Sequence, residues 1–195
     1  MDILFASTNI NKIKELSKLL PNHKILLPKD MGIEFDHEET ALTFYENALS
    51  KAKALFDIVK IPVLAEDSGL CVLALGGEPG VFSARYGSDG INKLGDKEKN
   101  LYLLQKMKNI SDRKAFFVCS MVLFINHYKF YVCQETLEGE ITFELKGESG
   151  FGYDPVFFIP KLGKTAAELL PEEKNEISHR GKAGRAIASL IEKVF

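Results

Sequence analysis

Ile3-Leu4-Phe5-Ala6-Ser7-Thr8-Asn9 combines a short apolar run with a polar turn. Beyond the turn, apolar residues recur at helical spacing, at Ile10, Ile13, Leu16, Leu19 and Leu20. This pattern predicts a strand, a turn and a helix. A second helix is predicted over residues 47–56 and a second strand over residues 61–65. Alternation of strands and helices indicates an α/β sheet.

The remaining sequence predicts further elements of both kinds. Six glycines and Pro79 between residues 76 and 95 predict an irregular connection, and Leu101, Leu104 and Met107 predict a helix after it. Residues 114–137 predict a long antiparallel hairpin that is interrupted near Asn126-His127. A capping box is expected at residues 165–168, and the last helix is expected to bury Ile187, Leu190, Ile191 and Val194.

Composition limits the class of protein. The 195 residues are enough for one domain, which we place over residues 1–195. Lys and Arg total 25 against 27 Asp and Glu, so the basic excess expected of a nucleic-acid-binding protein is missing. The three cysteines match no zinc or redox motif and predict buried, reduced thiols. Neither a basic leader nor a membrane-spanning apolar run is evident, so we expect a cytoplasmic protein that does not bind membranes.

Two acidic segments are candidate metal sites. In Glu66-Asp67-Ser68-Gly69, Asp67 follows an apolar strand and is expected in a turn at its carboxyl end, where ligands bind in open α/β sheets. Carboxylate oxygens there suit Mg²⁺, and Asp67 is equipped to deprotonate a water molecule. The other segment, His37-Glu38-Glu39-Thr40, offers similar ligands. The alternatives are a simple turn for Asp67 and a solvated surface for the glutamate pair.

Three further segments are candidate ligand sites. Ser7-Thr8-Asn9-Ile10-Asn11-Lys12 lies where a helix begins and would favour an anion; the alternative is an ordinary N-cap with a solvated lysine. The glycine loop, Gly150-Phe151-Gly152-Tyr153-Asp154-Pro155, offers a stacking ring and an acceptor, or is a plain turn before a strand. Lys174 and Ser178-His179-Arg180, expected at the start of the last helix, would donate to a 6-keto purine, or lie on the surface.

In their order along the chain these segments resemble the inosine triphosphate pyrophosphatase family. Glu39-Thr40, Phe44-Tyr45-Glu46-Asn47-Ala48, Pro79-Gly80 and Ser83-Ala84-Arg85-Tyr86 add to the match, which covers nearly the whole chain. Glu66 stands where many members have aspartate, and Thr8 where bacterial relatives often have glycine.

The resemblance implies a fold, a reaction and a set of site residues. The fold would be an α/β domain of two lobes around a long mixed, twisted sheet with a central substrate cleft, assembled as a homodimer. The enzyme would cleave inosine or xanthosine triphosphates to the monophosphate and pyrophosphate. Mg²⁺ would be held by Glu39 and Asp67, and Asp67 would also be the base. Substrate would be bound by Ser7, Thr8, Asn9, Ile10, Asn11, Lys12, Lys51, Ser68, Phe151, Gly152, Tyr153, Asp154, Lys174, His179 and Arg180.

Two other functions are compatible with parts of this pattern. The septum-associated nucleotide pyrophosphatases share the general fold and cleavage but prefer other bases, and the glycine loop and Ser178-His179-Arg180 argue against them. A nucleotide sensor without turnover would have no need of a metal site and a base, which Glu39 and Asp67 provide. The substrates that the protein turns over separate the three functions.

Overall fold

The computed structural model describes residues 2–89 and 94–195, which form a mixed α/β structure. The strands of the sheet are β1 (Asp2–Phe5), β2 (Lys24–Leu26), β3 (Val63–Val72), β4 (Lys114–Asn126), β5 (Lys129–Ile141), β6 (Phe157–Ile159) and β7 (Lys164–Thr165). The α-helices are α1 (Ile10–Leu19), α2 (Phe44–Val59), α3 (Asp96–Lys106), α4 (Pro171–Ile177) and α5 (His179–Val194). No helix in the described part of the chain has the length and apolarity to cross a membrane.

One seven-stranded sheet has the order β2-β1-β3-β4-β5-β6-β7. β1 pairs in parallel with β2 and with β3, whereas β6 is antiparallel to both β5 and β7. β4 and β5 are neighbours joined by a short turn, which only antiparallel strands accept. The sheet is therefore mixed, as the α/β pattern and the hairpin predicted.

The chain separates into two compact units. Unit 1 comprises the chain up to Ser68 together with Cys119–Glu135 and His179–Phe195. Unit 2 comprises Gly69–Val118 and Thr136–Ser178, and its core joins Leu103 of α3 to Phe117 of β4 and Phe157 of β6.

Alternating side chains of β1 and β3 form two apolar cores in unit 1. Phe5 and Leu64 pack with residues of α1 and α5, such as Leu16 and Ile187. On the other face of the sheet, Leu4, Val63 and Ala65 pack against Ala48, Ala52 and Leu55 of α2. Because successive strand residues point to opposite faces, β3 presents Glu66 towards the first core and Asp67 towards the second.

The structure corrects three details of the sequence predictions. β3 does not end at Ala65 but continues to Val72, so Asp67 lies within a strand and not in a turn. In α3, Leu101 is exposed and Leu103 is buried instead. Lys174 belongs to α4, a separate helix from α5, which begins at His179.

Most other local predictions are confirmed. α2 covers residues 47–56 and begins earlier, at Phe44, because the Thr43 side chain accepts a hydrogen bond from the Glu46 N–H. The capping box at Thr165 and Glu168 is present. All three thiols are free, with Cys71 and Cys119 buried and Cys133 half-buried.

Candidate functional site

Charged side chains converge on β3 in unit 1, which we call the β3 cluster. Its members are Lys12, Glu39, Asn47, Lys51, Glu66, Asp67, Ser68 and Arg180. Glu66 and Asp67 are 1% and 4% exposed. A buried carboxylate requires charged or hydrogen-bonding partners. The two carboxylates find different partners, because they lie on opposite faces of the strand.

Glu66 is held between two cations. The Arg180 Nε donates to Glu66 Oε2 at 2.8 Å, and the Lys12 Nζ lies 2.9 Å from Glu66 Oε1. Burial alone would raise the pKa of Glu66, but the charges of Arg180 and Lys12 outweigh it and hold that pKa far below its usual range. Glu66 in turn raises the pKa of the buried Lys12 above its ordinary value, against the effect of desolvation. All three groups therefore stay charged.

The Arg180 guanidinium donates hydrogen bonds to several partners in and beside this cluster. Nη1 donates to Glu15 Oε2 at 2.6 Å, and Nη2 donates to Ser68 Oγ at 2.8 Å and to Glu66 Oε1 at 3.2 Å. Its side chain is 3% exposed. These contacts give Arg180 a role in fixing Glu66 and Ser68. Its predicted role at the keto edge of a purine stays a prediction.

Asp67 faces α2 and is held there by Asn47. The Asn47 Nδ2 donates to Asp67 Oδ2 at 3.0 Å, and the Asn47 Oδ1 accepts from the Ala41 N–H at 2.9 Å. Burial and the nearby negative charge of Glu39 raise the pKa of Asp67 from 3.8 to about 6, although Lys12 and Lys51 oppose the change. A carboxylate with such a pKa is suited to accept a proton near neutral pH.

The pKa of Asp67 predicts how stability depends on pH without divalent cations. Because folding raises this pKa from 3.8 to about 6, the contribution of Asp67 to stability is fully present below pH 3.8 and is lost as the pH rises through about 6. The loss is about 3 kcal/mol. Asp67→Asn lacks this titration. Its free energy of unfolding should therefore increase relative to that of the wild type as the pH rises over this range. Urea unfolding in EDTA measures the difference, and a difference that is constant with pH would contradict the assignment.

Glu39 and Asp67 are the candidate metal ligands. Lys51 Nζ donates to a Glu39 carboxylate oxygen and, at 3.0 Å, to the backbone carbonyl of Glu66. No group of three or more His, Cys, Asp or Glu side chains that could hold a metal is found among residues 2–89 and 94–195. Two carboxylates whose charges repel each other do fit Mg²⁺, which takes one or two carboxylates and completes its shell with water and phosphate oxygens.

The start of α1 has features of both predicted alternatives, the helix N-cap and the anion site. Asn9 is the N-cap, since its Oδ1 accepts from the N–H groups of Asn11 at 3.0 Å and Lys12 at 3.3 Å. Lys12 is not a solvated lysine, because its Nζ reaches Glu66. Thr8, Asn9, Ile10 and Asn11 are exposed and Ser7 is half-buried, so the turn remains open to a ligand.

In unit 2 the glycine loop (residues 150–155) is held by hydrogen bonds within the loop and to other residues of the unit. Asp154, which is 2% exposed, accepts from the Lys174 Nζ at 2.6 Å and from the Phe151 N–H at 2.8 Å. The same Lys174 Nζ lies 4.5 Å from the centre of the Phe151 ring. The Tyr153 side chain is buried, and its hydroxyl donates to the Ser83 carbonyl oxygen at 2.9 Å. Phe151 and Gly152 are half-buried and remain partly accessible.

The structure thus groups the predicted residues into two sets. Lys12, Lys51, Ser68, Asp67 and Glu39 come together with Arg180 in unit 1, and Phe151, Gly152, Asp154 and Lys174 come together in unit 2. His179 is buried as the first residue of α5 in unit 1.

Sequence reasoning gave Asn47 and Glu15 no role in the site, and it included Glu66 in an acidic candidate segment without a role of its own. Asn47 and Lys51 are four residues apart on α2, so both face β3, and that spacing was a usable signal. Glu66 within an apolar strand was a second signal, because an uncompensated charge would not be buried there.

The fold and the β3 cluster define a class of protein: an α/β protein in which one strand carries buried carboxylates and neighbouring helices place lysines beside them. The chain belongs to the Ham1 family, whose sequence model matches residues 3–190. The dITP/XTP pyrophosphatase of Treponema denticola is 54% identical, with 98% of each chain covered. A dITP/XTP pyrophosphatase of Staphylococcus epidermidis is 42% identical, covering 98% of this chain and 96% of that one.

Solved structures agree with this membership. A HAM1 protein from Coxiella burnetii superposes with a TM-score of 0.91 at 38% identity, over 100% of both chains. The Staphylococcus aureus Ham1 protein gives 0.89 at 40% identity, over 99% of both. The fold class expected from the sequence is confirmed by these likenesses.

Proposed function

We propose that this protein hydrolyses noncanonical purine nucleoside triphosphates, of the inosine and xanthosine type, to the monophosphate and pyrophosphate. Its relatives named dITP/XTP pyrophosphatase support this function. The observation that carries it is the environment of Asp67, a buried carboxylate with a pKa of about 6 beside Glu39 and two lysines. The reaction removes deaminated nucleotides from the pool used for DNA and RNA synthesis.

The β3 cluster and the adjoining turn would bind the triphosphate. Lys12 and Lys51 supply positive charge, and Ser68 supplies a hydroxyl; the remaining contacts come from Ser7, Thr8, Asn9, Ile10 and Asn11. In the structure both lysines form ion pairs, Lys12 with Glu66 and Lys51 with Glu39. A phosphate would compete for cations that are already desolvated and placed, which strengthens their effect on developing charge.

Glu39 and Asp67 would hold Mg²⁺, which neutralises phosphate charge and lowers the pKa of bound water. Asp67 would accept a proton from the water whose oxygen forms the new bond to the α-phosphorus. The bond between that phosphorus and the bridging oxygen breaks, and pyrophosphate leaves with the bonding pair. Asn47 keeps Asp67 in place during the transfer through its 3.0 Å hydrogen bond.

The purine would be recognised by the glycine loop and by basic side chains. Phe151 offers a ring face for stacking, and Gly152, Tyr153 and Asp154 follow it in the loop. Lys174, His179 and Arg180 would donate to the 6-keto oxygen, where the amino group of adenine would present a donor to a donor. Lys174 Nζ, at 4.5 Å from the centre of the Phe151 ring, is consistent with this role.

The remaining parts of the proposal concern assembly and location. We place the protein in the cytoplasm as a homodimer of one domain, residues 1–195, with small-molecule substrates and no nucleic-acid or membrane partner. The formal net charge of −2 supports the lack of a nucleic-acid partner.

Pyrophosphate release from a panel of triphosphates tests the function. We expect Mg²⁺-dependent turnover of inosine and xanthosine triphosphates, with kcat/KM at least about a hundredfold above that for adenosine triphosphate, since a mismatched donor leaves buried polar groups unpaired. EDTA should abolish the activity.

Other outcomes of this panel identify the rivals. Preference for thymidine or uridine triphosphate would place the protein with the septum-associated group. Binding of inosine triphosphate without release of pyrophosphate would make it a sensor.

A further inference from the structure

Two side chains of α3 bind the backbone of Gly152 from outside the glycine loop. The Gly152 N–H donates to Asp96 Oδ2 at 2.7 Å, and Asn100 Nδ2 donates to the Gly152 carbonyl oxygen at 2.8 Å. Asp96 and Asn100 are four residues apart, so they lie on one face of the helix. Both polar groups of Gly152 are therefore bound to α3, and the three residues all belong to unit 2.

Gly152 is a position whose conformation needs this support. Its φ is +62°, a backbone conformation that other residues rarely adopt, and a Cβ there would meet nothing within 4 Å. Because glycine has no side chain, side-chain packing at residue 152 cannot fix the conformation of the loop. The neighbouring contacts of Asp154 with the Phe151 N–H and with Lys174 brace the adjoining residues of the loop and do not bind Gly152 itself.

Asn100 is poorly explained as a residue kept for stability. It is 1% exposed, and its Oδ1 has no hydrogen-bond partner within the described part of the chain. An unsatisfied buried acceptor is unfavourable, and an apolar side chain of the same shape would avoid it. The amide at this position provides one thing that an apolar residue lacks, which is the donor to Gly152.

We propose that Asp96 and Asn100 are positioning residues that set the selectivity for the purine base, by clamping the backbone on both sides of the Gly152 Cα and so fixing the Phe151 ring and the Asp154–Lys174 pair. This inference rests on the proposed function, because it assigns the glycine loop to the base. Asp96 is also anchored, since its Oδ1 lies 2.9 Å from the Lys99 Nζ. The clamp acts on the base and not on the phosphate chemistry.

Binding of inosine monophosphate, measured by calorimetry without metal, tests the clamp in the whole protein. Asn100→Leu and Asp96→Ala should each weaken binding about tenfold, the effect of losing one positioned hydrogen bond. Both should raise KM for inosine triphosphate and lower its selectivity over adenosine triphosphate while kcat changes less than about twofold. Asp96→Asn, which keeps an acceptor for the Gly152 N–H, should restore near-normal binding. Lys97→Ala, on an exposed position of the same helix, is the control.

Stability and amide exchange separate this role from a structural one. Asn100→Leu removes an unsatisfied acceptor but also the hydrogen bond to the Gly152 carbonyl oxygen. Its equilibrium constant of unfolding should therefore stay within about fivefold of the wild-type value, which corresponds to about 1 kcal/mol in the free energy of unfolding. Hydrogen exchange of the Gly152 amide should accelerate in Asp96→Ala. If the variants bind the monophosphate as tightly as the wild type, the clamp does not position the base and the inference fails alone. A wild type that neither binds the monophosphate nor hydrolyses inosine triphosphate overturns the proposed function and the inference together.

Discussion

Asp67→Asn should lower kcat for inosine triphosphate by about 10²–10⁴-fold, the usual loss when a general base is removed. Asparagine has nearly the same shape and keeps one oxygen for the hydrogen bond from Asn47, which is 3.0 Å long in the structure. The charge that accepts the proton is gone, however, and so is half of the proposed carboxylate pair. The loss should therefore appear in kcat much more than in the affinity for nucleotide.

Kinetics with and without added Mg²⁺ measure this effect. Asp57→Asn, a matched change at an exposed position of the same unit, should keep wild-type kcat. The Asp67 variant should also remain folded, since it removes the repulsion between Asp67 and Glu39. A folded variant with near-normal turnover would exclude Asp67 as base and as essential ligand.

Local patterns predicted the elements that depend on neighbouring residues. The turn before α1 could be predicted because Asn9 caps the helix two and three residues ahead of it. The hairpin of β4 and β5 could be predicted because its strands are consecutive and rich in β-branched and aromatic residues. In both cases the stabilising contacts lie close together in the sequence.

Long-range pairing explains what the sequence analysis missed. Asp-Ser-Gly is a turn-like sequence, but these residues continue β3, a strand of the sheet whose buried Glu66 has its partner in Arg180, 114 residues away. The clamp on Gly152 joins residues 52 and 56 apart. No periodicity reports such pairs, so the sequence predicted a purine contact for Arg180 but not its contacts with Glu66 and Glu15.

Arg180→Met should lower the free energy of unfolding by about 3–5 kcal/mol, the usual result of breaking a buried ion pair on one side. Methionine fills much of the same space, so the loss is mainly electrostatic. Glu66 would stay buried at 1% exposure with only Lys12 as a charged partner, and Ser68 would lose its donor. Urea unfolding near neutral pH measures the change, and Arg185→Met, at an exposed position of α5, should change stability by less than about 1 kcal/mol.

The double variant Glu66→Gln with Arg180→Met separates charge from packing. If the loss comes from an uncompensated carboxylate, neutralising Glu66 should recover at least about half of it. A double variant no more stable than Arg180→Met would show instead that the arginine acts through packing, or that the buried Lys12 needs the carboxylate as much as Arg180 does. Recovered stability should not bring recovered activity, because Lys12 would lose the carboxylate that lies 2.9 Å from its Nζ. The ion pair would then serve mainly to place a phosphate-binding lysine, at a position where an apolar core would have been the simpler way to stabilise the strand.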